Sequence, residues 1–98
     1  MALRKKYLKS KPVCKVSFDF PVEAAPNAKK VELVGSFNNW EPVSMRKVKG
    51  NYTRTLDLPV DQKFEFRYRV DEETWENDWK ADAYVPNEAG TENSVVAV

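Results

Sequence analysis

Phe64-Glu65-Phe66-Arg67-Tyr68-Arg69-Val70-Asp71 sets large apolar side chains at every second position, with charged residues between them. A period of two sends alternate side chains to opposite faces of an extended chain, so this stretch reads as a strand with one buried and one wet face. Cys14–Phe20 repeats the pattern, with Cys14, Val16, Phe18 and Phe20 alternating with Lys15, Ser17 and Asp19. Strands of this kind belong to antiparallel sheets that pack on one face and meet water on the other.

Val31–Val34, Met45–Val48, Tyr52–Leu58 and Ser94–Val98 read as further strands. The Gly50-Asn51 step reads as a tight hairpin turn between two of them. No segment longer than a turn has helical spacing, and Pro12, Pro21, Pro26, Pro42, Pro59 and Pro86 fall at expected strand edges or in loops. About six to eight short strands with turns roughly every ten residues predict an all-β, immunoglobulin-like β-sandwich of two antiparallel sheets. Its core is expected to hold Val16, Phe18, Phe20, Val31, Leu33, Met45, Leu56, Phe64, Phe66, Tyr68, Val70 and Val95.

At 98 residues the chain suits one domain with a core that needs no disulfide or metal staple. No apolar run approaches the roughly 18 residues that span a bilayer, so no membrane partner is expected. Arg4, Lys5 and Lys6 lead into Tyr7–Pro12 and not into an apolar segment, unlike a secretory signal. A cytoplasmic location is expected, and the lone Cys14 agrees with it. Residues 1–30 carry eight Lys or Arg against Asp19 and Glu23, a balance of +6, which leaves −5 for the other 68 residues of a chain totalling +1. Residues 1–12 are therefore expected to form a basic, flexible arm, and residues 13–98 the sandwich module. Tyr7 is the arm's one aromatic, and nucleic acid is not an expected partner.

Catalysis is not expected. The chain has no histidine, which removes the commonest general base and metal ligand, so neither a metal nor a cofactor is expected. Cys14 has no imidazole to activate it, and Gly35, Gly50 and Gly90 form no phosphate loop. Asp71-Glu72-Glu73 reads as a solvated hairpin tip and not as a glycosidase acid pair. Binding chemistry is better represented. Val31-Glu32-Leu33-Val34-Gly35-Ser36-Phe37-Asn38-Asn39-Trp40 runs an apolar strand into a polar turn that ends on an indole. Trp75 and Trp79 lie in the polar stretch Asp71–Asp82, and polar flanks argue that at least two of the three tryptophans are exposed. Alternation puts Arg67 on the wet face of its strand.

Val31–Trp40, Phe64–Asp71 and Gly90–Val98, in that order and spacing, resemble the family 48 carbohydrate-binding modules across residues 14–98. That family includes the glycogen-binding domain of the AMP-activated protein kinase beta subunit and the N-terminal modules of isoamylases and branching enzymes. The resemblance implies a non-catalytic module for α-1,4-linked glucans such as glycogen, starch or maltooligosaccharides. Carried over by position, the family's two stacking tryptophans fall on Trp40 and Trp75, its hydroxyl-binding lysine on Arg67, and its asparagine on Asn93 with Thr91 beside it. The chain departs from the family pattern by Arg67 for lysine, by the longer Glu72-Glu73-Thr74 turn, and by Ala89 where a larger apolar residue is usual. A second implied reading is a protein-interaction or regulatory module that docks a kinase or a glycogen-metabolising enzyme, with Arg4–Lys11 as contact segment.

Overall fold

The alternating segments pair into two antiparallel sheets in the computed structural model, which describes residues 2–98. In chain order the strands are β1 Ala2–Tyr7, β2 Val13–Pro21, β3 Val31–Gly35, β4 Val43–Ser44, β5 Arg46–Val48, β6 Asn51–Pro59, β7 Lys63–Val70, β8 Thr74–Glu76, β9 Ala83–Pro86 and β10 Glu92–Ala97. One sheet has the order β1-β2-β6-β5, and the other β4-β3-β7-β10-β9 with β8 added to β7. Two 3₁₀ turns, Val22–Ala24 and Ser36–Asn38, are the helical pieces among the described residues. None of the helices described there is long and apolar enough to cross a membrane.

The inward residues of β2 and β7 meet at the centre. Cys14, Val16, Phe18, Phe20, Phe66 and Tyr68 are fully buried there. Phe18 and Phe66 pack edge-to-face at 5.0 Å between ring centroids, and Phe20 and Tyr68 do so at 5.1 Å. Each such side chain contributes about 1.5–3 kcal/mol through the apolar area it removes from water.

Four details differ from the sequence expectations. Leu56 and Phe64 are only partly buried against the core. Val95 is buried but outside that core cluster. It lies opposite Glu65, and directly paired residues share a face, so Val95 belongs to the outer face of the larger sheet. The tight turn is Lys49-Gly50, not Gly50-Asn51: Val48 pairs with Asn51, and the two residues between have φ of 45° and 83°. Two left-handed residues in succession make the turn whose twist suits a hairpin. Met45, expected to begin a strand, is a buried crossover whose N–H binds the Val31 carbonyl at 3.0 Å, so the chain leaves β4 in one sheet and enters β5 in the other.

The segment expected to be a flexible arm is also different. Ala2–Tyr7 is an edge strand paired with β2 from Ala2↔Asp19 to Tyr7↔Cys14. Leu3 packs against the core, and Arg4 grips Asp19 through Nε at 2.7 Å and Nη2 at 3.0 Å. Lys5 reaches Asp82 of the other sheet's connecting loop at 2.7 Å. One apolar anchor and two ion pairs fasten a stretch that reads, by composition, as solvated.

Candidate functional site

Strand β7 organises the outer face of the larger sheet. Its inward residues go to the core, so Glu65, Arg67 and Arg69 face outward. Register then fixes their neighbours: Val34 of β3 lies opposite Arg67, and Glu32 lies opposite Arg69. The second edge of β7 is shared, with β10 on Lys63–Phe66 and β8 on Tyr68–Val70. Arg69 pairs with Trp75 of β8, so Glu32, Arg69 and Trp75 form one row across three strands.

Trp75 is 43% exposed, and its ring lies near two cations. The Arg67 guanidinium carbon is 5.8 Å from the ring centroid and that of Arg69 is 5.9 Å away, at the outer limit for cation–π attraction. The two arginines differ in what else holds them. Arg69 donates to Glu32 Oε1 through Nε at 3.0 Å and Nη2 at 2.8 Å. Arg67 Nε is buried with no hydrogen-bond partner among the described residues. Thus Arg69 is engaged by Glu32, whereas the Arg67 Nε is shielded from solvent and unpaired among the described residues.

Trp40 is 40% exposed at the end of the Gly35–Trp40 turn. Gly35 is required there by close approach: a Cβ would meet the Phe37 ring and lie 2.9 Å from the Glu65 carbonyl oxygen. Ser36 Oγ accepts the Glu65 N–H at 3.0 Å, which moors the turn to β7. Asn39 and Trp40 both have left-handed backbone, at φ 61° and 63°, and the Trp40 N–H binds the Gly35 carbonyl at 2.8 Å. For asparagine that conformation is cheap, but for a bulky residue it costs about 1–2 kcal/mol. Strain of this kind clusters where a side chain must be presented. Among the described residues, no hydrogen bond or ring contact joins the Trp40 side chain to Arg67, Trp75, Asn93 or Thr91.

Asn93 and Thr91 are brought together by a residue that sequence reasoning missed. Asn87 donates through Nδ2 to Thr91 Oγ1 at 2.8 Å and to Asn93 Oδ1 at 3.1 Å, and its own Oδ1 accepts the Ala89 and Thr91 N–H groups. Asn93 is buried, and its Nδ2 donates to Glu65 Oε1 at 3.1 Å, so its amide keeps only part of its bonding capacity for a ligand. Glu65 is the second missed residue. It alternates with Arg67 on the wet face, which was the signal available for it.

The loop before Trp75 carries charge and strain together. Asp71 and Glu72 have φ of 50° and 60°, with no glycine to relieve them. Asp71 Oδ1 accepts the N–H groups of Lys29 and Lys30 at 2.8 and 2.9 Å, and Glu72 pairs with Lys30 at 3.1 Å. The hydrogen bond from Lys30, then its charge, holds the Glu72 carboxyl below its ordinary value, and the same hydrogen bond raises Lys30. Trp79 is 64% exposed, so all three indoles reach solvent. No enclosed pocket forms among the described residues, nor any group of three or more potential metal ligands. Trp40 and Trp75 lie on an open surface, whereas Asn93 is buried beneath it.

Fold and exposure together define a β-sandwich module with three solvent-reaching indoles. The chain belongs to the family described as the glycogen recognition site of AMP-activated protein kinase, which matches residues 19–98. It is 31% identical over 85 residues to 5'-AMP-activated protein kinase subunit beta-1 of Rattus norvegicus, covering 80% of this chain and 30% of that one. The Sus scrofa subunit is 33% identical over 70 residues, covering 71% of this chain and 55% of the other. The chain thus spans 30% of the length of the first of these relatives and 55% of the second. Among solved structures, the enterobactin esterase FES of Shigella flexneri superposes with a TM-score of 0.76 at 13% identity, covering 98% of this chain and 32% of that chain. That likeness is one of fold alone.

Proposed function

We propose that the chain is a non-catalytic module that binds α-1,4-linked glucans such as glycogen, starch or maltooligosaccharides. The observation that carries this reading is the Trp75 indole, 43% exposed beside the Arg67 guanidinium on the outer face of the larger sheet. Membership in a glycogen-recognition family supports it. In this reading Trp40 and Trp75 stack on glucose C–H faces, while Arg67, Asn93 and Thr91 hydrogen-bond ring hydroxyls. An indole that loses on the order of 80–100 Å² of apolar area gives about 2 kcal/mol. Two such contacts and a few hydrogen bonds, less the association cost, correspond to a Kd of roughly 10 μM to 1 mM. A polymer with many binding positions would compensate for that weakness. The proposed setting is the cytoplasm, where the buried free thiol of Cys14 would stay reduced. Replacing Trp40 with alanine should abolish retention on an amylose column, and normal retention by that variant would defeat the reading.

A second reading rests on the relatives, which are kinase subunits. In it the module docks a kinase or a glycogen-metabolising enzyme. A chain that ignores maltoheptaose but co-elutes with such an enzyme would favour it.

A further inference from the structure

We infer that the Glu32–Arg69 pair is the positioning unit that fixes the Trp75 indole in its ligand-ready orientation; this rests on the glucan reading above. Strand β8 is three residues long and Trp75 is half-exposed. A short edge strand frays readily, and an indole free to change rotamer would lose orientation each time it bound. Something must hold it.

The row across β3, β7 and β8 supplies the hold. Glu32 has a side chain only 7% exposed, and both donor groups of Arg69 converge on its Oε1 at 3.0 and 2.8 Å. A guanidinium bound through two donors has a fixed plane and position. That fixed cation sits 5.9 Å from the Trp75 centroid, directly across the strand pair. The far side is closed as well. Lys30 lies 3.6 Å from Glu32 and 3.1 Å from Glu72, and Glu72 is 4.0 Å from Arg69, so the loop that delivers Trp75 is tied to the same pair. Arg67, equally near the ring, makes no ion pair among the described residues and leans on the indole without fixing it. The two arginines therefore divide the work: Arg69 orients the platform, and Arg67 meets the ligand.

Removing Arg69 alone would leave the buried Glu32 carboxylate with only the longer Lys30 contact at 3.6 Å, so the informative variant is the double replacement Glu32→Leu with Arg69→Met, which removes both charges at once. The Trp75 indole N–H is followed by ¹⁵N relaxation in the free protein, and maltoheptaose affinity is measured by titration. The double variant should leave the Trp40 and Trp79 indole signals in place. Its Trp75 order parameter should fall from about 0.85 toward about 0.6, and Kd should rise about fivefold. Arg69→Lys with Glu32 intact, which keeps the charge and loses the fork, should fall between. An unchanged Trp75 order parameter, or a lowered one with unchanged affinity, overturns the inference. If the wild-type chain binds no maltoheptaose, the glucan reading fails, and the relaxation data still decide whether Arg69 positions Trp75.

Discussion

Tyr68 donates its hydroxyl hydrogen to Asp78 Oδ2 at 2.8 Å, and both side chains are shut off from solvent. This bond pins the chain three residues after Trp75 to the centre of the sandwich. The other Asp78 oxygen accepts the Lys80 N–H at 2.8 Å, and the Asp78 N–H reaches Ser94 Oγ at 2.9 Å. Burial first, and the Asp78 charge second, hold the Tyr68 phenol well above its ordinary value, so it stays a donor.

Tyr68→Phe keeps the ring and removes the donor. A hydrogen bond to a buried carboxylate is worth about 1.5–3 kcal/mol, so the variant should lose about 2 kcal/mol. For a domain of this size that lowers Tm by about 10 °C. Calorimetry checks it, and a shift under about 2 °C would mean that Asp78 finds a substitute donor.

The Arg4–Asp19 pair predicts an acid dependence. Burial opposes ionisation of Asp19, but the hydrogen bonds from Arg4 and Thr53 and the Arg4 charge outweigh it and hold the carboxyl below its ordinary value. A carboxyl depressed on folding contributes fully above its unfolded value of about 3.9, and the contribution is lost as pH falls through the lower folded value. Asp19→Asn should therefore be less stable than the wild type at pH 7. The two should converge as the pH drops below about 4. Since Arg4 is 63% exposed, the gap should be at most about 1 kcal/mol. Urea midpoints at pH 7 and pH 3 measure it, and a constant gap would contradict the assignment.

Trp75 and Arg67 should respond differently to mutation. An indole face has little hydration to give up, whereas a guanidinium exchanges water for a neutral hydroxyl at a net gain near 1–2 kcal/mol. Trp75→Ala should raise the maltoheptaose Kd about tenfold or more, and Arg67→Lys less than about fivefold. A neutral ligand also leaves binding nearly independent of salt from about 50 to 500 mM. A larger effect from Arg67→Lys, or a steep salt dependence, would reverse these roles.

The long strands were legible because alternation reports half-burial directly: Cys14–Phe20 and Phe64–Val70 carry the pattern and lie in β2 and β7. Strand β1 was not, because Lys5 lies opposite the buried Val16 yet ends in an ion pair with Asp82, and a cation at such a position reads as solvated. Strands β8 and β9 are three and four residues long and depend on partners distant in sequence. Val95 and Val96 are adjacent and both apolar, so alternation could not tell which of them faces inward; Val96 joins the core and Val95 lies on the outer face opposite Glu65. At the candidate site, exposed indoles followed from their polar flanks. The roles of Asn87 and Glu65 did not, since they exist only once β7, β10 and the Asn87–Thr91 turn are side by side.

The most direct test of the glucan reading is a ¹⁵N-resolved NMR titration of the chain with maltoheptaose. Glucan binding predicts saturable shifts at Trp40, Arg67, Trp75, Thr91 and Asn93, with a Kd of roughly 10 μM to 1 mM. It also predicts quiet signals on the outer face of the β1-β2-β6-β5 sheet, at Lys15, Ser17 and Thr55. No response to the sugar, or shifts confined to that opposite face, would contradict it.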